Sequence, residues 1–508
     1  MRSKSILNSG ANGAAFVFSA LCSIIVRAYF IQFFGVELLG LDSLFASIFF
    51  ILSFAELGLG SAMTFALYKP LKDQDFGTVR AILLLLSKFY RYVIILILVF
   101  GAVSSIFIQY ITDIELSYQH YQYFTVYVLA GASTYIYAEY KVLALALRMN
   151  YIESSIRIIF LAVKAVFQLS SIIYFENYLF FLIVTLFVNI GTALILRFAM
   201  LRQAPLIIST PPSEIEESTL ARIFKNLKGG VYHRLGSIIV TGTDNILISI
   251  FSGSVVLGLY SSYGLIFSLL NGFLTQLIYP LSGSIGTAQA SGGNHLVLGY
   301  FERIFRIFSY FVTLATSGLL FCLNDVVSVW LGEKYVLPVE IPILLSVSLF
   351  LILMRRPSII CIDALGVNWE LRYKSIFESL FNLFISLYFF ISLDWGLKSV
   401  ILGTIFSNLL TNFWWEPYVL YRRSFDKRLR TYFFMYGRVL VNLLIITSLG
   451  FIFQNYFPVV SDVYSLLKKC FIVVFGVSFF YFVLNYKTKG NRELYDLAIK
   501  LFRFSKVN

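Results

Sequence analysis

Apolar runs of about 20 residues, the length a helix needs to cross the hydrocarbon of a bilayer, recur along nearly the whole chain. Fourteen stand out: 10–34, 41–66, 84–111, 121–147, 155–175, 178–201, 229–252, 257–285, 300–323, 339–361, 374–393, 397–421, 433–456 and 465–486. Only 13% of the 508 residues are charged and 59% are hydrophobic. Soluble domains keep about a quarter of their residues charged, so this much apolar surface has to face lipid. The expected class is an all-α polytopic membrane protein with about 14 transmembrane helices. The opening segment MRSKSILNSG leads into a long run with no small-residue cleavage site after it. It reads as the start of the first span rather than as a removed signal peptide.

The charges between the runs give the orientation. Odd-numbered loops are nearly free of Lys and Arg: 35–40 holds only Glu37, 112–120 holds Asp113 and Glu115, 253–256 holds no charge, and 324–338 sets Lys334 against Asp325 and Glu333. Even-numbered loops are basic, with Lys69 and Lys72; Arg148; Arg202, Arg222, Lys225 and Lys228; Arg372 and Lys374; and Arg422, Arg423, Lys427, Arg428 and Arg430. Arg2 and Lys4 open the chain, and Lys487, Lys489, Arg492, Lys500, Arg503 and Lys506 close it. Basic loops stay inside, so both termini are expected in the cytoplasm of a multi-pass protein. The net charge of +13 is then a loop property and implies no nucleic-acid partner.

The heptapeptide GVELLGL at 35–41 returns 218 residues later as GSVVLGL at 253–259, with four of seven positions identical. Ser43 then matches Ser261, and Phe49 matches Phe267. Each copy follows an equivalent span, the first and the seventh, and each falls on the outer side. Between them lies the longest cytoplasmic stretch, 202–228, marked by Pro205, Pro211, Pro212 and the acidic Glu214, Glu216 and Glu217, composition typical of a linker. The expected organisation is therefore an N-terminal lobe at 1–201, a linker at 202–228, a C-terminal lobe at 229–423, and helices thirteen and fourteen with a basic tail at 424–508. Because each lobe has six spans, the repeat is parallel, about an axis along the membrane normal. Repeats of this kind are a feature of transporters.

Charges inside a span cost about 2.5–3.5 kcal/mol on insertion scales and mark function unless they snorkel to an interface. Arg27 in the first span, Lys164 near the middle of the fifth and Arg234 in the seventh are the candidate lining of a cationic cavity. Glu56 and Asp244 are candidates for ion coupling, or for structural partners of those cations; the simplest structural reading pairs Arg27 with Glu56. Under the repeat offset Arg27 aligns with Asn245, beside Asp244, so both lobes place polar groups at one depth. Lys141 reads as snorkelling, Arg157 as equally a snorkelling or a cavity residue, and His233 as a packed residue ahead of a proton switch. Asn271, Gln276, Asn408 and Asn412 could line a polar path or bridge helices. No serine-hydrolase, zinc-protease, phosphate-loop or kinase pattern is present, so no catalytic residue is assigned. Cys22, Cys322, Cys361 and Cys470 are isolated within apolar runs, so neither a metal nor another cofactor is assigned.

Four strings carry a family resemblance. GVELLGLDSLFASIFFILSFAELGLGSAMTFALYKPL resembles the region of the first two helices of bacterial polysaccharide flippases, the Wzx-type transporters. TDNILISIFSGSVVLGLYSSYGLI resembles their seventh and eighth helices, and RRPSIICIDALGVNWELRYKSIFESLFNL and GTIFSNLLTNFWWEPYVLYR follow in the same order. The resemblance implies the multidrug/oligosaccharidyl-lipid/polysaccharide exporter fold in a bacterial cytoplasmic membrane. It implies a substrate of undecaprenyl-diphosphate-linked oligosaccharide, moved between leaflets for capsule, exopolysaccharide or O-antigen assembly. Membrane lipids and other polysaccharide assembly proteins are the partners it implies, and a cationic cavity between lobes is part of the pattern. Arg27, Lys164 and Arg234 are positional candidates for that cavity, because the basic residues occupy no strict motif. A multidrug exporter of the same fold is the first alternative, and an integral-membrane polysaccharide polymerase or ligase the second.

Overall fold

The structure, a computed structural model, describes residues 2–56, 58–425 and 427–486; within these, the side chains at 2–9, 55, 61, 218, 219, 222, 224–241, 280, 290–292, 294 and 368 are outside the description. Every regular element among the described residues is helical. Ten of these helices are long and apolar enough to cross a membrane. Two of the ten, Gly10–Leu52 with 43 residues and Gly242–Gln289 with 48, each run through parts of two predicted spans. The predicted spans 121–147 and 397–421 are helical but interrupted midway. The chain is thus an all-α polytopic protein, and each of the fourteen apolar runs lies on helix.

By contacts the chain divides into two compact units, Met1–Ser261 and Ser262–Asn508. In the first unit, α1 (Arg2–Leu52) is continuous except at Gly35, where φ is 83° and ψ 169°. The second predicted span is completed by a 3₁₀ turn, Ser53–Glu56, and by α2 (Leu59–Lys72). Next, α3 (Phe76–Phe107) starts earlier than its apolar run. Asp75 accepts a hydrogen bond from the Thr78 N–H at 3.0 Å, and that cap starts a helix whose first turns are amphipathic. The run 121–147 divides into α4 (Tyr118–Ser133) and α5 (Ala138–Ala146) at Tyr137, which has φ 59°. Arg197 stabilises that turn: its guanidinium donates to the Tyr137 hydroxyl at 2.7 Å and lies 4.6 Å from the ring centroid. Then come α6 (Asn150–Ile173) and α7 (Tyr178–Gln203), which match their predicted spans closely.

The stretch read as a linker contains a short helix, α8 (Pro205–Ser209), then irregular chain to 216. After it α9 (Glu217–Ile278) begins inside the predicted linker and continues through the seventh and eighth spans, with a kink at Gly253 (φ 86°, ψ 167°). The contact division falls within α9, because its stretch 242–261 packs on α1. A side chain on Gly242 would press on Phe50 and Ile51, and Gly40 lies against the Ser254 carbonyl. The core of the unit is apolar and aromatic. Phe45 and Phe124 are fully buried edge to face, 5.1 Å apart, and α1 runs along α6, α6 along α7 and α4 along α7.

In the second unit α10 (Ser282–Leu331) is the central element, bent at Gly293. It packs against α11 (Glu340–Met354), α12 (Arg356–Leu365), α16 (Arg430–Ile452) and α17 (Val463–Leu484). α13 (Arg372–Leu393) lies on α14 (Lys398–Ser407), which passes through a π-helical stretch, Asn408–Asn412, into α15 (Phe413–Ser424). Aromatic rings of α10, α15 and α16 form its core: Phe301, Phe305, Tyr421, Phe425 and Tyr432 have centroids 5.1–6.4 Å apart. That spacing favours edge-to-face and offset contacts.

Candidate functional site

The first unit has a half-open cavity of about 400 Å³, lined from α1, α4, α6 and α7. Two of the predicted cations line it, Arg27 from α1 and Lys164 from α6. A carboxylate that sequence reasoning passed over, Asp42, stands with them, so the charged lining is two cations to one anion. Asp42 lies just past the Gly35 kink, where the sequence reads as the start of a span. The kink turns that stretch of α1 back over the cavity.

Each polar group has a definite setting. Arg27 Nη1 donates to Ser261 Oγ at 2.9 Å. The Tyr178 hydroxyl donates to Asp42 Oδ1 at 2.7 Å, and Tyr178 is fixed by Phe30, Phe34, Tyr123 and Phe181, whose ring centroids lie 4.8–6.0 Å away. Lys164 makes no hydrogen bond or ion pair within contact distance among the described residues, and it lies within the field of Asp42. Gln168 donates to Thr185 at 3.0 Å, and Asn189 donates to the Ala130 carbonyl at 2.8 Å. The wall is therefore mixed: two cations, one buffered carboxylate, amides and hydroxyls, against Val26, Phe30, Leu39 and Phe49. Such a lining suits an anion that carries hydrogen-bonding groups.

The structure places the other predicted residues elsewhere. Glu56 accepts from the Tyr135 hydroxyl at 3.3 Å; Arg27 bonds Ser261 instead, so the simplest structural pairing of the sequence reading is not the one formed. Asp244 lies on α9 near Tyr260. Asn245, its neighbour, donates to Ser47 at 2.8 Å. The side chains of Arg234 and His233 lie outside the described residues. Arg157 is paired with Glu153 one turn away at 3.4 Å and is half-buried.

The second unit holds a charge cluster that sequence reasoning missed. Arg355 forms a two-pronged pair with Glu416, with Nε to Oε2 at 3.1 Å and Nη2 on Oε1. Lys374 Nζ bonds Glu416 Oε1 at 3.0 Å and Glu378 Oε2 at 3.2 Å. Asn412 Nδ2 bonds Glu378 at 2.6 Å and Asn408 at 2.7 Å, and Arg355 reaches Asn408 at 3.2 Å. Two cations and two carboxylates thus form a neutral network, with the π-helical stretch supplying both amides. Lys374 was read as a basic loop residue. It is instead 4% exposed, because α13 already begins at Arg372. Arg355 and Arg356 in the middle of an apolar run were the available signal. The same unit has an apolar pocket of about 190 Å³ between α10, α16 and α17, lined by residues such as Phe321, Gly450, Phe457, Gly476 and Phe480.

No protein-family model and no curated protein sequence matches the chain. Solved structures do. An inward closed conformation of the lipid II flippase MurJ superposes with a TM-score of 0.67 at 14% identity, over 94% of this chain and 99% of that one. An inward-facing multidrug resistance MATE family transporter of the MOP superfamily gives 0.61 at 13% identity, over 78% and 93%. A MATE transporter of Vibrio cholerae gives 0.56 at 12% identity, over 84% and 99%. At these identities the likeness is one of fold: the chain has the MurJ- and MATE-like polytopic helical fold.

Proposed function

We propose that the protein is a flippase that carries undecaprenyl-diphosphate-linked oligosaccharide units across the bacterial cytoplasmic membrane by alternating access, for capsule, exopolysaccharide or O-antigen assembly. The carrying observation is the first-unit cavity, where Arg27 and Lys164 stand in a lipid-embedded unit with only Asp42 opposing them. A diphosphate cannot enter hydrocarbon unpaired. An Arg fork and a Lys ammonium without a close partner replace its water, and the amides and hydroxyls of Gln168, Thr185 and Asn189 meet sugar hydroxyls. Arg234 is proposed as a third cation, and Glu56 and Asp244 as groups that couple transport to an ion gradient. The lobe plan of this reading is 1–201 and 229–423 joined by 202–228, with helices beyond 424 shaping the path of the lipid. Both termini are proposed to be cytoplasmic, and other polysaccharide assembly proteins to be partners.

Reconstituted protein should move the lipid-linked oligosaccharide between leaflets. Arg27→Ala and Lys164→Ala should each slow this about tenfold or more at matched protein level, as expected for loss of one charge-assisted contact. Unchanged flipping in both variants would remove the cationic-cavity reading. Asp42 supports a second reading, a multidrug exporter, since a carboxylate suits cationic drugs. Transport of cationic dyes with the lipid left unmoved would decide for it. Glycan-chain extension by the isolated protein would instead mark a polymerase or ligase.

A further inference from the structure

The two heptapeptides meet each other in the first unit. Gly35 and Gly253 adopt nearly the same backbone, with φ 83° and 86° and ψ 169° and 167°. Five residues after each kink comes a second glycine. A Cβ on Gly40 would overlap the Ser254 carbonyl, and a Cβ on Gly258 would overlap the Val36 carbonyl. Ser254 and Val36 are the residues immediately after the kinks. The crossing is therefore reciprocal, glycine of one copy on carbonyl of the other, and only glycine allows backbones so close. The flanking bonds repeat the symmetry in their donors alone, the acceptor serines being one helical turn out of register. Arg27 and Asn245, equivalent under the offset, each donate to a serine of the opposite copy's limb, Ser261 at 2.9 Å and Ser47 at 2.8 Å.

One contact breaks the symmetry. Asp113, in the loop between α3 and α4, accepts from the Ser254 N–H at 2.8 Å and from the Ser254 hydroxyl at 2.6 Å, while Thr112 Oγ1 lies 2.9 Å from the same hydroxyl. The carboxylate sits at the start of the helical limb after the Gly253 kink, where the N–H groups have no partner in the helix and favour an anion. At its glycines the crossing is backbone against backbone, with Leu39, Leu41 and Leu257 buried beside it. Polar bonds fasten it as well, and Asp113 supplies two of them.

We infer that the crossed heptapeptides are a gate over the outer end of the Arg27–Lys164 cavity, and that Asp113 is the latch that holds it closed. The inference rests on the transport reading and on its orientation, but not on what is carried. Cys22 lines the cavity and serves as a native reporter. In full-length protein with Cys322, Cys361 and Cys470 replaced by Ala, a membrane-impermeant maleimide added outside right-side-out vesicles should label Cys22 slowly. Asp113→Asn should raise that rate about fivefold or more, the scale of losing charge-assisted bonds, with labelling from the inside of inverted vesicles no faster. Unchanged outside labelling, or a rise from the inside alone, would overturn the latch. A second measurement does not depend on that background: Thr112→Cys with Ser254→Cys, oxidised by copper–phenanthroline to a disulfide, should stop transport and release it on reduction with dithiothreitol. Full transport with the pair cross-linked would overturn the gate. A gate that responds as expected in a protein that leaves lipid-linked oligosaccharide unmoved would keep this inference and discard the substrate.

Discussion

At the scale of single residues, charge placement governs. Asp113 lies in a loop, and its carboxyl is held below its ordinary range: burial raises it, but the hydroxyl and N–H bonds from Ser254 outweigh that. A depressed acid contributes its bonding fully above its free value and loses it as pH falls through the lowered one. The ratio of Cys22 labelling in Asp113→Asn to that in the parent should therefore be flat between about pH 6 and 8, and should fall towards one only below about pH 4. Parent and variant share the pH dependence of the thiol, which cancels in the ratio. Glu416 gives a sharper case. It is 1% exposed and neutralised by Arg355 and Lys374. Glu416→Gln leaves a buried cation short of its partner, which costs about 3–5 kcal/mol and should appear as a large loss of thermal stability in detergent. Glu370→Gln, removing a pair with the well-exposed Arg423, should cost under about 1 kcal/mol.

At the scale of elements, what was legible in the sequence depended on the kind of signal. Lipid requires long apolar runs, so helices α6, α7, α16 and α17 fall close to their predicted spans. The repeat was legible as a pair of outer loops, whereas each copy is a glycine kink inside a continuous helix, at Gly35 and Gly253. The break at Tyr137 was not legible, because a tyrosine carries no left-handed preference, and the turn is held by Arg197, far along the chain. The Arg355–Lys374–Glu378–Glu416 network was hidden for a similar reason: its members are spread over 61 residues with no shared period. In the cavity, Arg27 and Lys164 were legible as cations within apolar runs, whereas Asp42, at the start of a predicted span, was not singled out. The kinks carry their own prediction. Gly35→Ala meets no neighbouring atom, so its cost is that of a glycine-only backbone, about 1–3 kcal/mol. Gly253→Ala adds a collision with the Asp113 carboxylate and should be the more destabilising in thermal unfolding.

At the scale of the whole molecule, orientation is the property on which the functional reading turns. If basic loops stay inside, reporter domains fused after residue 210 and at the C-terminus should be active only in the cytoplasm, and one inserted in the loop near 335 only outside. A reversed pattern would put the heptapeptide crossing at the inner end of the cavity.

The neutral network of the second unit has a consequence for how the chain is made. Lys374 can enter the membrane already paired with Glu378, one helical turn away on the same α13. Arg355 cannot: the carboxylate it grips most closely, Glu416, emerges from the ribosome 61 residues later. Until then the nascent protein holds a guanidinium at the end of α11 whose nearest earlier carboxylate partner is Glu378, at 3.5 Å. The stretch from α11 to α15 is thus committed to complete its assembly as one block, after its last helix has left the translocon.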